Sequence, residues 1–159
     1  MIVDYIMTNK PLLVGLHLGF AILAIDGFIW LFGEILGRSE HRGRIIFSAI
    51  LGLVGLGLSW LTGGYYYVKF YGAIVKPIIK AGNAPWAHAI AMEAKEHIFL
   101  FLIPIAVTIL FGSMLDKQVL YNNRIRKPLM VLVVLVALVG LSLGAMGFII
   151  SAAARWGGI

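Results

Sequence analysis

The side chains best able to do chemistry in this sequence are four histidines, His17, His41, His88 and His97, and a few acids set among apolar residues, Asp26, Glu34, Glu93 and Glu96. Neutral imidazole is the common protein ligand of haem iron where no thiolate is present. There is no cysteine, which excludes disulfides, thiolate metal sites, iron–sulfur ligation and covalent c-type haem attachment. His17 and His97 fall on different hydrophobic stretches at similar distances from one side. They are the pair expected to ligate one haem iron. His88 precedes His97 by nine residues, half a turn out of phase on a straight helix, so the two cannot face one core together. His41 lies in an arginine-rich loop, where solvated surface chemistry is the ordinary expectation.

The acids allow other readings. Glu93 and His97 are four apart and share a helix face. With His88 or His17 they could hold a non-haem metal. A di-iron bundle would need Glu-x-x-His on two helices, and no second copy occurs. Glu93 and Glu96 also suit the first turns of a helix as solvated acids, with Lys95 beside them. Asp26 is about 180° around its helix from His17, so it should face another helix or another subunit. Asp26 and Glu34 could handle protons, or could be structural hydrogen-bonded acids.

These residues must be carried by a membrane protein. The chain has 159 residues, 61% hydrophobic and 13% charged, with a mean hydropathy of +0.97. Soluble domains are about 45–50% apolar and about 25% charged. That excludes a soluble enzyme and a disordered chain. The net charge of +6 belongs with loops beside anionic headgroups rather than with nucleic acid. Four apolar spans are expected, at about 11–36, 45–67, 85–115 and 128–154, forming one all-α transmembrane four-helix bundle. Residues 1–10 carry neither a basic n-region nor a following small-residue cleavage site, so the first span should act as an uncleaved insertion signal in the plasma (inner) membrane.

Loop charges suggest the orientation. Loops 38–44 and 116–127 hold Arg38, Arg42, Arg44, Lys117, Arg124, Arg126 and Lys127 in two short runs. They are expected in the cytoplasm, with both termini outside. Residues 65–80, with Tyr65, Tyr66, Tyr67, Tyr71, Lys69, Lys76 and Lys80, read as an interfacial helix between the second and third spans. Its lysines could anchor it to lipid or cover an outer site.

The second and fourth spans carry stripes of small residues at helical spacing. These are Gly52, Gly55, Ser59 and Gly63, and then Ala137, Gly140, Gly144, Gly147 and Ser151. Such stripes permit close helix packing. They could equally form flat walls for a porphyrin.

Three segments carry a family resemblance. "LLVGLHLGFAILAIDGFIW", "WLTGG" and "WAHAIAMEAKEHIFLF" resemble the copper-resistance D-type membrane proteins and the membrane-bound protoporphyrinogen oxidases, over about 100 residues. The resemblance implies a small helical bundle in which a first-helix and a third-helix histidine bind b-type haem. Here these are His17 and His97. The chain departs from that pattern in Glu93, Glu96 and the lysine-bearing segment before the third span.

The expectation is therefore a b-type cytochrome with haem near the outer face. Lys69, Lys76, Lys80 or Lys95 would pair with the propionates, and Gly52, Gly55, Gly140 and Gly144 would wall the ring. One haem at one face cannot carry electrons across the whole membrane. It suits electron exchange between the quinol pool and an outer-side partner, at most an oxidoreductase subunit. The competing expectation is a cofactor-free anchor subunit of a larger membrane complex. Lipid, a quinone, and other membrane or outer-side redox subunits are the expected partners; nucleic acid is not.

Overall fold

A computed structural model describes residues 2–157, and among these there are helices and no strands. Helix α1 (Ile2–Thr8) is short. Asn9 ends it and caps α2 (Lys10–Leu36), its side-chain oxygen accepting from Leu12 N–H at 3.0 Å. Pro11 sits in that opening turn, where its missing N–H costs nothing. At the other end Arg38 takes φ +50°, and Ser39 N–H reaches back to the Glu34 carbonyl at 2.9 Å. This left-handed stop, more often made by glycine, closes the helix.

Helix α3 (Arg42–Ala81) runs for 40 residues and includes a π-helical stretch, Tyr67–Val75. Helix α4 (Ala87–Ser113) opens with a π-helical turn, Ala87–Met92. A single turn, α5 (Lys117–Leu120), precedes α6 (Asn123–Trp156). The four helices α2, α3, α4 and α6 are each long and apolar enough to cross a membrane. They carry apolar residues outward as well as inward: Leu61, Phe101, Val131 and Phe148 are all exposed. That pattern is unsuited to water and suited to lipid.

The helices form a square. α3 and α6 each pack on both α2 and α4, which stand diagonally across the centre. The tightest seam is α2 on α3, and glycine makes it possible. A Cβ on Gly55 would lie 2.8 Å from the Ala24 backbone nitrogen, and one on Gly27 would lie 2.6 Å from that of Gly52. The main core contains Ala24, Phe28, Leu31, Ala49, Leu102, Ala106, Val133 and Val136.

A second core lies beyond it. Tyr71 and Ile79 of α3 pack with Ala84, Ala87, Ala91, Ile150, Ala153 and Ala154. Met146 borders both cores. At 1.5 Å per residue α6 spans about 51 Å, and the α-helical parts of α3 alone about 46 Å, against about 30 Å of hydrocarbon. Their excess length builds this second tier, called here the tyrosine end. The segment 65–80 is thus the continuation of α3. It packs against protein through Tyr71 and Ile79.

Ion pairs tie the opposite, arginine end. Glu34 is buried and meets Arg44 at 2.5 Å and Trp30 Nε1–H at 2.8 Å. Arg42 pairs with Asp116 at 3.0 Å, and Lys117 with Glu40. Arg126 donates to the Leu36 carbonyl at 2.9 Å. Glu34 is therefore a structural anchor for the first loop, and four of the loop cations, Arg42, Arg44, Lys117 and Arg126, join the two loops to each other or to α2.

Candidate functional site

Where the two cores meet, α2, α3 and α4 each turn polar side chains toward the bundle. His17 lies on the inward face of α2, in register with Leu13 and Ala24. Its Nδ1–H donates to the Ser59 carbonyl at 2.8 Å, and the Ser59 hydroxyl donates to the His17 carbonyl at 3.1 Å. Gly63 gives the ring its space: a Cβ there would stand 2.5 Å from His17 Nδ1. Anchoring Nδ1 through its proton leaves Nε2 as the basic nitrogen.

Lys95 also turns inward. Its Nζ would lie 3.2 Å from a Cβ placed on Gly147, and its charge acts on His17. Beside it Glu96 has a buried carboxylate oxygen, Oε1, with no hydrogen-bond partner among the described residues. The ring of Tyr67 stacks on that of Tyr71 with centroids 5.2 Å apart, and the Tyr67 phenol is close enough for the Glu96 charge to act on it. The Tyr71 hydroxyl is 3.2 Å from His88 Nδ1. On the far side of that ring, His88 Nε2 is 3.8 Å from a carboxylate oxygen of Glu93. Lys76 and Lys80 stand near enough for their charges to act on His88.

The result is a row, Tyr71–His88–Glu93, that leads from a buried phenol to a half-exposed carboxylate. The π-helical stretches produce it. One carries Tyr71 near the end of α3 and the other carries His88 at the start of α4, and their wider turn alters which side chains face inward.

The expected site residues are divided by this arrangement. His17, Lys95 and His88 belong to the inward cluster, and Glu93 stands half-exposed at its edge. His97 is exposed, with its Nδ1–H bonded to the Glu93 carbonyl of its own helix at 2.7 Å. It is two residues beyond Lys95, about 200° around α4. Lys69 is exposed. His41, in its loop, is exposed as well.

The expected glycine walls are mostly occupied. Phe28 fills the space at Gly52, Ala24 that at Gly55, and Ile25 that at Gly140. Gly144 is open but faces outward. Among the described residues no group of three or more His, Cys, Asp or Glu side chains is placed to hold a metal ion. The donor chemistry of His17 and His97 suits haem iron, since each ring has Nδ1 anchored and Nε2 free. The facing of the two rings does not suit it: one is inward in the α2–α3 seam, the other outward on the diagonal helix.

Sequence reasoning missed Ser59 as the partner of His17, and it missed Tyr67 and Tyr71 as interior groups. The four-residue spacing of the two tyrosines was the available signal, since it places them on one helix face. Comparison with known proteins finds no matching family, no matching curated protein and no matching solved structure.

Proposed function

We propose that this chain is an integral membrane protein of the plasma membrane, with both termini and the tyrosine end outside. It works in electron and proton exchange between the quinol pool and an outer-side redox partner. A b-type haem is the cofactor of this reading. It would supply one-electron exchange, with His17 as its inner imidazole and His97 as the second. A common feature of these two residues carries the reading: each has Nδ1 tied to a backbone carbonyl, at 2.8 and 2.7 Å, which fixes the tautomer that leaves Nε2 free to ligate. The row Tyr71–His88–Glu93 adds the groups that a proton route would use: the Tyr71 hydroxyl is 3.2 Å from His88, and the half-exposed acid Glu93 is 3.8 Å beyond it, outside direct hydrogen-bond reach. Of the two rings assigned to the iron, that of His17 faces the bundle interior and that of His97 the outer side of α4.

The test is a pyridine haemochrome spectrum of the purified protein, repeated on variants. The expected result is protohaem in the wild type and in His41→Ala, with loss in His17→Ala and His97→Ala. A colourless wild-type protein from haem-replete cells overturns the reading.

One observation favours a second reading, a cofactor-free anchor subunit of a larger membrane complex. The glycine faces at Gly52 and Gly55 are filled by Phe28 and Ala24, so they already serve helix packing without any cofactor. Colourless protein that co-purifies with a defined membrane complex would support it.

A further inference from the structure

One acid of the chain has no role in either core. Asp26 lies in the middle third of α2 and is exposed. It makes no hydrogen bond and no ion pair among the described residues. Gly15, Gly19, Ile22, Asp26, Ile29 and Gly33 recur every three or four residues and so form one stripe along α2. The whole stripe is outward: Ile22 and Ile29 are 50% and 54% exposed, and a Cβ on Gly15, Gly19 or Gly33 would meet nothing within 4 Å.

A carboxylate facing hydrocarbon is costly, and such groups are met by partners. Among the described residues nothing meets it. The lysines and arginines of its four long helices stand near the helix ends or at the tyrosine end: Lys10, Arg42, Arg44, Lys69, Lys76, Lys80, Lys95, Arg124, Arg126, Lys127 and Arg155. A second copy packed on the same face in the same orientation would set Asp26 against Asp26, acid against acid. Charge complementarity therefore selects a different occupant. We propose that the Asp26 face of α2 docks a membrane-spanning helix of another protein that carries a lysine or arginine at mid-membrane depth. The glycines let that helix come close, and its cation neutralises Asp26 out of reach of water, where an ion pair is least screened. This inference rests on the membrane placement proposed above and on nothing else in that reading.

The probe is a synthetic single-span leucine–alanine helix with one central lysine, labelled and reconstituted with the full chain in phosphatidylcholine vesicles. Energy transfer reports association. Wild type and Asp26→Glu should bind it, and Asp26→Leu should bind at least about tenfold more weakly. A probe with leucine in place of its lysine should lose the same amount. Equal binding by Asp26→Leu overturns the proposal. Because the chain has no cysteine, Gly19→Cys offers a single thiol on this face. Efficient disulfide-linked pairing of two such chains through it would also overturn the proposal, by making a second copy the occupant. Release of the chain from membranes by alkaline carbonate would overturn the membrane placement itself, whereas the other two results would leave that placement intact.

Discussion

The hydroxyl of Tyr71 stands 3.2 Å from Nδ1 of His88, and the two residues are only 2% and 4% exposed. The contact joins the extension of α3 to the first turn of α4 and helps set which face of α4 looks inward. Tyr71→Phe keeps the ring stack with Tyr67 but leaves a buried imidazole nitrogen without its partner. The expected loss is about 1–3 kcal/mol, read as a lower unfolding midpoint in detergent. Tyr65→Phe, on a half-buried phenol outside this row, should change the midpoint little.

The glycines of α3 divide into those the fold needs and those it tolerates. At Gly55 an added methyl would lie 2.8 Å from the Ala24 backbone, which cannot step aside alone. At Gly57 nothing lies within 4 Å. Gly55→Ala should therefore destabilise by about 1–3 kcal/mol as α2 and α3 are pushed apart. Gly57→Ala should be neutral or stabilise by up to about 1 kcal/mol, because alanine loses less backbone freedom in a helix. Parallel thermal unfolding of the two variants makes the comparison. Equal effects would mean the seam is not packed as described.

Glu34 anchors the arginine end through Arg44 at 2.5 Å and Trp30 at 2.8 Å. Its carboxylate is buried, so the effect of losing a partner is asymmetric. Arg44→Ala leaves a buried charge with fewer donors and should cost about 1–2 kcal/mol, with the exposure of Arg44 keeping the figure small. Glu34→Gln combined with Arg44→Met removes both charges and should recover part of that loss. A double-mutant cycle on unfolding free energies gives the coupling.

In the loops, the hydrogen bond from Lys117 and its charge hold the Glu40 carboxyl below the ordinary carboxylate range. A folded-state value lower than the unfolded one means the stabilisation is complete above the usual carboxylate range. It is lost as pH falls through the lowered value. Thermal unfolding followed from neutral pH into acid should thus show a steeper acid decline for wild type than for Glu40→Gln. The difference should be small, since both partners are exposed, and should shrink further in high salt.

Much of the architecture can be read from the residue order. The four long apolar helices follow from runs near 20 residues with few charges, because a spanning helix must satisfy its backbone internally and show lipid an apolar surface. The small-residue stripes announce close packing, but only the contacts assign Gly52 and Gly55 to α2. Periodicity places His88 and His97 on opposite faces of α4; it is silent on which face looks inward. Neighbouring helices decide that, through the buried Tyr71 beside His88.

Composition also made residues 65–80 a plausible surface helix, since tyrosines and lysines suit a headgroup layer. Within that segment Tyr71 and Ile79 find partners on α4 and α6 at a distance of many residues in the chain, which composition does not announce. Likewise, a helical wheel turns Asp26 away from His17 but cannot say that no other helix of the bundle covers it. Local order thus determined the helices, their lipid-compatible surfaces and the relative phase of residues along each one. Tertiary structure alone decided the rotation of each helix about its axis and the pairing of faces. Those depend on the simultaneous fit of all four helices, which no single segment encodes.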